Sequence, residues 1–225
     1  FVTWLDCRAG KGQSVYGAAS EKGAARWSAN RLLYVPKGGS VCECCPIVAT
    51  SGAKERVGIV FRNLLKGMRD LCITQSTDGG RTFDEPAPLG GAPWMINACP
   101  MSEGALGFVG NGRWEAIQAR DEKLSIARGS GVVEALAKGK RPTMVTLAGR
   151  AVFAFVDSAT RSIHVQNGSG EIPASLTGAD SAVDSPHLGV APSQVAAGKL
   201  SVWIAYESGS GETRTVALRE LPLIK

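Results

Sequence analysis

Short apolar runs separated by glycine-bearing turns recur along this chain. Val57 to Phe61, Trp114 to Gln118, Ala151 to Val156 and Leu200 to Tyr206 each read as a β-strand. A turn precedes each of them: Thr50-Ser51-Gly52, Gly110-Asn111-Gly112, Ala148-Gly149-Arg150 and Ala197-Gly198-Lys199. Ahead of each turn lies another short apolar strand, and ahead of that an X-Pro pair: Cys45-Pro46, Cys99-Pro100, Arg141-Pro142 and Ser185-Pro186. The prolines of successive pairs are 54, 42 and 44 residues apart. A polar loop and a third strand complete each unit. Helical periodicity is weak, and Val132 to Lys138 is the one short stretch compatible with a helix.

A unit of about 40–45 residues with four short strands is the pattern of a β-propeller blade. The spacing predicts blades over 41–97, 98–139, 140–183 and 184–225. Residues 1–40 read as a partial blade without its first strand, with Phe1-Val2-Thr3-Trp4-Leu5 in the second-strand slot. The prediction is therefore an all-β chain, one propeller domain over 1–225 with about five blades of four antiparallel strands represented. A propeller closes to satisfy its sheet edges. We expect the N-terminal blade or blades to come from the rest of the protein or from another chain.

After the β-favouring run Ile73-Thr74-Gln75-Ser76 comes Ser76-Thr77-Asp78-Gly79-Gly80-Arg81-Thr82-Phe83. Glycine accepts φ > 0, and an Asp side chain bonds backbone two residues on. The stretch predicts a rigid turn between antiparallel strands, with Phe83 packing back on the sheet. It is a folding device and supplies no catalytic group. Ser20 to Trp27 occupies the equivalent place in the first unit, with Lys22 where the Asp belongs and Arg26 where the Thr belongs.

Composition narrows the partners. No run of 18 apolar residues is present, which excludes a transmembrane helix. The net charge is +5, but Lys and Arg are scattered without a basic stripe interleaved with aromatics, which argues against nucleic acid. The chain opens on Phe1 without a basic n-region or an apolar h-region, so any signal peptide would lie outside this sequence.

Strand direction sorts the loops. The X-Pro pairs and the loops between second and third strands share one face, called upper here. Those loops carry Asp6, Arg8, Arg62, Arg69, Asp70, Arg120, Asp121, Asp157, Arg161 and Glu207. Arginine pairs bidentately with carboxylates, so such a rim suits an acidic sugar; solvated loop charges and inter-blade Arg–Asp pairs are the plainer reading. The six cysteines are Cys7, Cys42, Cys44, Cys45, Cys72 and Cys99. Cys42, Cys44 and Cys45 precede the first strand of one blade, Cys99 holds that place in the next, and His187 follows the matching proline in the last. Two chemistries stay open. Disulfides, such as Cys7 to Cys42 or Cys44, suit an oxidising compartment. Thiolates with His187, and with Met95 and Met101 close by in sequence or by repeat, would hold copper or zinc. His164 reads as an ordinary strand residue.

The turn residues Ser76, Asp78, Gly80, Thr82 and Phe83 fill the Asp-box pattern, and the chain resembles BNR-repeat proteins of the sialidase superfamily. Ser40-Val41-Cys42-Glu43-Cys44-Cys45-Pro46, Val60-Phe61-Arg62-Asn63 with Arg69-Asp70, and Asn97-Ala98-Cys99-Pro100-Met101 extend the likeness to bacterial secreted proteins labelled exo-α-sialidase. The resemblance implies a six-bladed intact propeller, a secreted or periplasmic location and an active site on the upper face. For a hydrolase it implies Arg62 or Arg69 in an arginine triad and Asp70 as acid, while the loop charges Arg8, Arg120, Asp121 and Glu207 are the candidates around the sugar. Tyr206-Glu207 sits in a suitable last-blade slot, but adjacent strand residues point to opposite faces, which weakens the pair as nucleophile and base. We therefore expect a binding or scaffold propeller with a cysteine-rich metal or disulfide centre, its partner a carbohydrate or a protein. An exo-hydrolase of acidic sugars is the alternative.

Overall fold

The computed structural model describes residues 1–8, 10, 12–21, 24–129, 131–167, 170–176, 183–189, 201–209 and 211–222. Among these residues there are twenty strands and two single turns of 3₁₀ helix. The first sheet joins β1 (Val2–Asp6), β2 (Ser14–Ala18) and β5 (Arg31–Tyr34). β3 (Ser20–Glu21) and β4 (Arg26–Trp27) form a small ribbon projecting from it. The second sheet holds β6 (Ser40–Val41), β7 (Val48–Ser51), β8 (Val57–Leu64), β9 (Leu71–Ser76) and β10 (Ala87–Pro88). β11 (Ala105–Val109), β12 (Arg113–Arg120) and β13 (Lys123–Arg128) begin the third, which runs through β14 (Val132–Leu147) into β15 (Arg150–Asp157), β16 (Ile163–Asn167) and β17 (Gly170–Leu176). β18 (Val183–Gly189), β19 (Ser201–Ser208) and β20 (Thr215–Pro222) form the last. Every pairing within these sheets is antiparallel.

The predicted second strands are the central strands of the sheets, and they are apolar because both of their faces are covered. Along β15, Val152, Ala154 and Val156 face Val202, Ile204 and Tyr206 of the next blade. The alternate residues Phe153 and Phe155 face Leu124 and Ile126 of the blade before. β8 behaves the same way, with Val60 packed towards Leu106 and Phe108, and Ile59 and Phe61 towards Val15 and Val41. Each fully buried Val, Ile or Phe contributes about 1.5–3 kcal/mol. Sheets stacked face to face around an axis are the propeller arrangement, and the chain is all-β.

One element departs from the sequence reading. Val132 to Lys138 is the first half of β14, not a helix, and pairs with β13 from Arg128↔Val132 to Lys123↔Lys138. Six ladder pairs outweigh a short pattern compatible with either period. Beyond Lys138 the same strand pairs with β15, with a register shift between Lys140 and Thr143. Pro142, which has no N–H to give a ladder, sits at that shift, and Arg141 before it has φ 55°. The turn Ala197-Gly198-Lys199 lies outside the described residues, as does Leu200.

The turn after β9 is built as its residues dictate. Asp78 Oδ1 accepts from the N–H groups of Arg81 and Thr82, each at 2.8 Å, and Oδ2 accepts from the Thr82 hydroxyl at 2.6 Å. Ser76 Oγ accepts from the Gly80 N–H at 2.8 Å. Gly80 has φ 82°, and a Cβ there would stand 2.6 Å from the Phe1 ring, so glycine is required twice over. Phe83 packs on Phe1, and Arg31 of the first sheet donates to the Gly80 and Arg81 carbonyls. The Thr82 and Ser76 bonds hold the Asp78 carboxyl below its ordinary value of 3.8. A depressed carboxylate stabilises the fold above its unfolded pKa, and that stability is lost as pH falls through the folded value. Asp78→Asn should therefore lower the urea midpoint above about pH 4, and the gap to wild type should close on further acidification. A gap that stays constant with pH would disprove the carboxylate's role.

Candidate functional site

Between β6 and β7 the chain leaves the sheet. β6 ends against Asn63 of β8 and β7 begins against Val60, so Cys42 to Ile47 loop out over Phe61 and Arg62. The Cys42 N–H still bonds the Arg62 carbonyl at 2.7 Å, and the Cys45 N–H turns back to the Cys42 carbonyl at 3.4 Å. This turn brings the Cys42 and Cys45 sulfurs to 2.9 Å, with both residues buried. Cys99, arriving from the next blade, forms a disulfide with Cys44. Its sulfur also lies 3.7 Å from that of Cys42 and 3.9 Å from that of Cys45. The Cys42, Cys45 and Cys99 sulfurs all lie within 4.8 Å of one another.

Arginines frame this cluster. Arg69 Nη1 donates to Cys42 Sγ at 3.2 Å. Arg62, 1 % exposed, donates to the Arg69 carbonyl at 2.7 Å and to Ser102 Oγ at 3.1 Å, and stacks on the Trp94 ring. Arg120 stacks on the same ring and pairs with Asp70 at 2.9 Å. Asp70 Oδ1 in turn accepts the Trp94 N–H at 3.0 Å. The contacts of Trp94 with Arg62, Arg120 and Asp70 thus hold the segment that leads to Cys99. Burial lowers the Arg62 pKa, since it disfavours the charged form. Burial, and then the Cys42 hydrogen bond, push the Cys45 thiol up to about 11. Burial likewise raises Cys72 to about 11, and Asn63 donates to its sulfur at 3.4 Å.

Arg62 therefore lies inside β8, which runs three residues beyond the predicted Phe61 end, and not in the following loop. Arg62, Arg69, Asp70 and Arg120 are brought together, with the arginine Nη groups and Asp70 Oδ1 turned to protein partners and the three arginine Nε atoms buried without one. Arg8 follows β1, paired with Asp6 at 2.7 Å and lying over Tyr16. Asp121 occupies the β12–β13 turn at φ 49°, and Glu207 pairs with Arg214 at 2.9 Å. His187 is not among the clustered ligand atoms. It lines a cavity of about 490 Å³ near the ends of the first strands, together with Pro46, Glu103, Arg141 and Pro186. Met95 and Met101 are each 64 % exposed.

The expected Cys7 disulfide is not formed. Cys7 is free and exposed after β1, and Cys44 pairs instead with Cys99. Both partners precede a first strand, so equivalent slots of adjacent blades meet on one face. That equivalence was available in the repeat, whereas the Arg69–Cys42 contact and the stacking of Arg62 and Arg120 on Trp94 carry no sequence signal.

The fold defines a class, the sialidase-like all-β propellers. Among solved structures the chain is similar to the NanB sialidase from Streptococcus pneumoniae, with a TM-score of 0.55, 11 % identity, and coverage of 99 % of this chain and 42 % of that one. It is similar to the Hadza microbial sialidase Hz136, with a TM-score of 0.52, 10 % identity, and coverage of 92 % and 50 %. The polysaccharide lyase Uly1 gives a TM-score of 0.55, 11 % identity, and coverage of 94 % and 53 %. The chain thus spans about half the length of these structures. No protein-family model matches the chain, and no curated protein matches it.

Proposed function

We propose that this chain is an extracytoplasmic Asp-box propeller that binds rather than hydrolyses, and that its upper face holds a soft metal ion between Cys42 and Cys45. The carrying observation is the convergence of three sulfurs within 4.8 Å, two of them on buried, unbridged cysteines. Thiolates select Cu(I) or Zn. No imidazole or carboxylate joins this set among the described residues. Structural zinc sites are almost always four-coordinate, so a sulfur-only set of two or three favours Cu(I). Arg69 beside Cys42 offsets thiolate charge. An extracytoplasmic location agrees with the Cys44–Cys99 disulfide.

An exo-hydrolase of acidic sugars has less support. The sialidase-type fold and the cavity lined by Glu103, Arg141 and His187 favour it. Against it, Arg62 and Asp70 are engaged within the protein, and Tyr206 is buried. The fold by itself does not carry the chemistry.

Metal content and a thiol count on the same native sample test the reading. The expected result is about one copper per chain, with Cys42 and Cys45 refractory to alkylation until the metal is stripped. A metal-free sample in which all four unbridged cysteines titrate, and which takes up no Cu(I) when offered it, would reject the metal centre.

A further inference from the structure

The four clustered cysteines are not equivalent. Cys42 and Cys45 are buried thiols; Cys44 is exposed and bonded to the half-buried Cys99. Both free sulfurs stand within 3.9 Å of the bonded Cys99 sulfur and 2.9 Å from each other. Thiol–disulfide exchange proceeds by attack of one sulfur on a bonded one, through a mixed disulfide. The nearest nucleophile here is Cys42, at 3.7 Å from Cys99 and with the Arg69 guanidinium on its sulfur.

We propose that these residues form an internal exchange relay in which the exposed Cys44–Cys99 disulfide and the buried Cys42/Cys45 dithiol interconvert. In the first step Cys42 Sγ attacks Cys99 Sγ. The Cys42–Cys99 bond forms, the Cys44–Cys99 bond breaks, and the electron pair and the Cys42 proton end on Cys44. In the second step Cys45 Sγ attacks Cys42 Sγ. The Cys42–Cys45 bond forms, the Cys42–Cys99 bond breaks, and the electron pair and the Cys45 proton end on Cys99. Two thiols and one disulfide stand on each side, so the interconversion needs no external oxidant. It moves a pair of thiols from the interior to a site where one of them is exposed.

The exchange rests on the sulfur geometry, and its consequence rests on the metal reading above. Closing Cys42–Cys45 removes both buried thiol ligands, so metal loading and that bond exclude one another. Trypsin separates the two isomers. Cys42, Cys44 and Cys45 share the peptide 38–54, and Cys99 lies on the peptide 82–113. The metal-free chain is equilibrated with a copper and zinc chelator and a trace of glutathione, quenched by alkylation, digested without reductant and mapped by mass spectrometry. The expected result is two populations: joined peptides, and a separate 38–54 peptide with an internal Cys42–Cys45 bond. In Cys45→Ser the internal species should be lost and a Cys42–Cys99 link should take its place. Cys44–Cys99 as the sole bond in both proteins, with native circular dichroism, would overturn the relay. Parallel Cu(I) titration separates the two ideas. Copper binding without the second isomer removes the relay alone, and both isomers without copper binding remove the metal centre alone.

Discussion

A Cys42→Ser/Cys45→Ser double variant is expected to lose Cu(I) affinity by more than about 100-fold, beyond the 10–100-fold that changes around the ligands produce. The two sulfurs are the only buried, unbridged pair in the cluster, and a serine hydroxyl is a hard, poor ligand for a soft d¹⁰ ion. Competition with a chromophoric Cu(I) chelator under anaerobic conditions reads the effect. The Cys44–Cys99 bond is spared in this variant, so the blades remain tied and loss of metal is separated from loss of fold. Cys7→Ser is the control, because Cys7 is exposed after β1 and outside the cluster. Equal affinity in the double variant and wild type would place the copper elsewhere.

Opening the Cys44–Cys99 disulfide should cost the fold about 4 kcal/mol, the chain-entropy value for a loop of this size. The bond joins residues 55 apart in sequence, from two adjacent blades. Urea unfolding of Cys99→Ser, which leaves neither Cys44 nor Cys42 a partner on the next blade, measures the difference against wild type, and added reductant should bring wild type to the variant's midpoint. Cys42–Cys45, which closes a far shorter loop, cannot replace that contribution. A midpoint unmoved by either treatment would show that the blades are held by packing alone.

The fold was readable because its cause is local and repeated. Strands covered on both faces must be apolar throughout, and Val57 to Phe61 and Ala151 to Val156 announce this without any alignment. β14 was harder, since an outer strand is covered on one side only and its pattern fits two periods. At the site, the shared slots of Cys42, Cys44, Cys45 and Cys99 were visible in the X-Pro repeat. Their pairing was not, because a repeat gives height along a blade but not which side chain turns towards the neighbour. Arg62 shows the same limit. Three extra strand residues moved it from a rim to the interior, and nothing in Phe61-Arg62-Asn63 marks where the ladder stops.

β14 has a consequence for how the molecule comes apart. Its two halves serve as the last strand of one blade and the first strand of the next, joined only by the shift at Arg141-Pro142. Neighbouring blades in a propeller are otherwise separate hairpin stacks, each able to open by itself. Here, fraying of the β14–β15 ladder pulls on the β13–β14 ladder through continuous backbone, so the two blades form one cooperative foldon. Their slowest amides should share a single exchange free energy, while the first and last sheets open on their own.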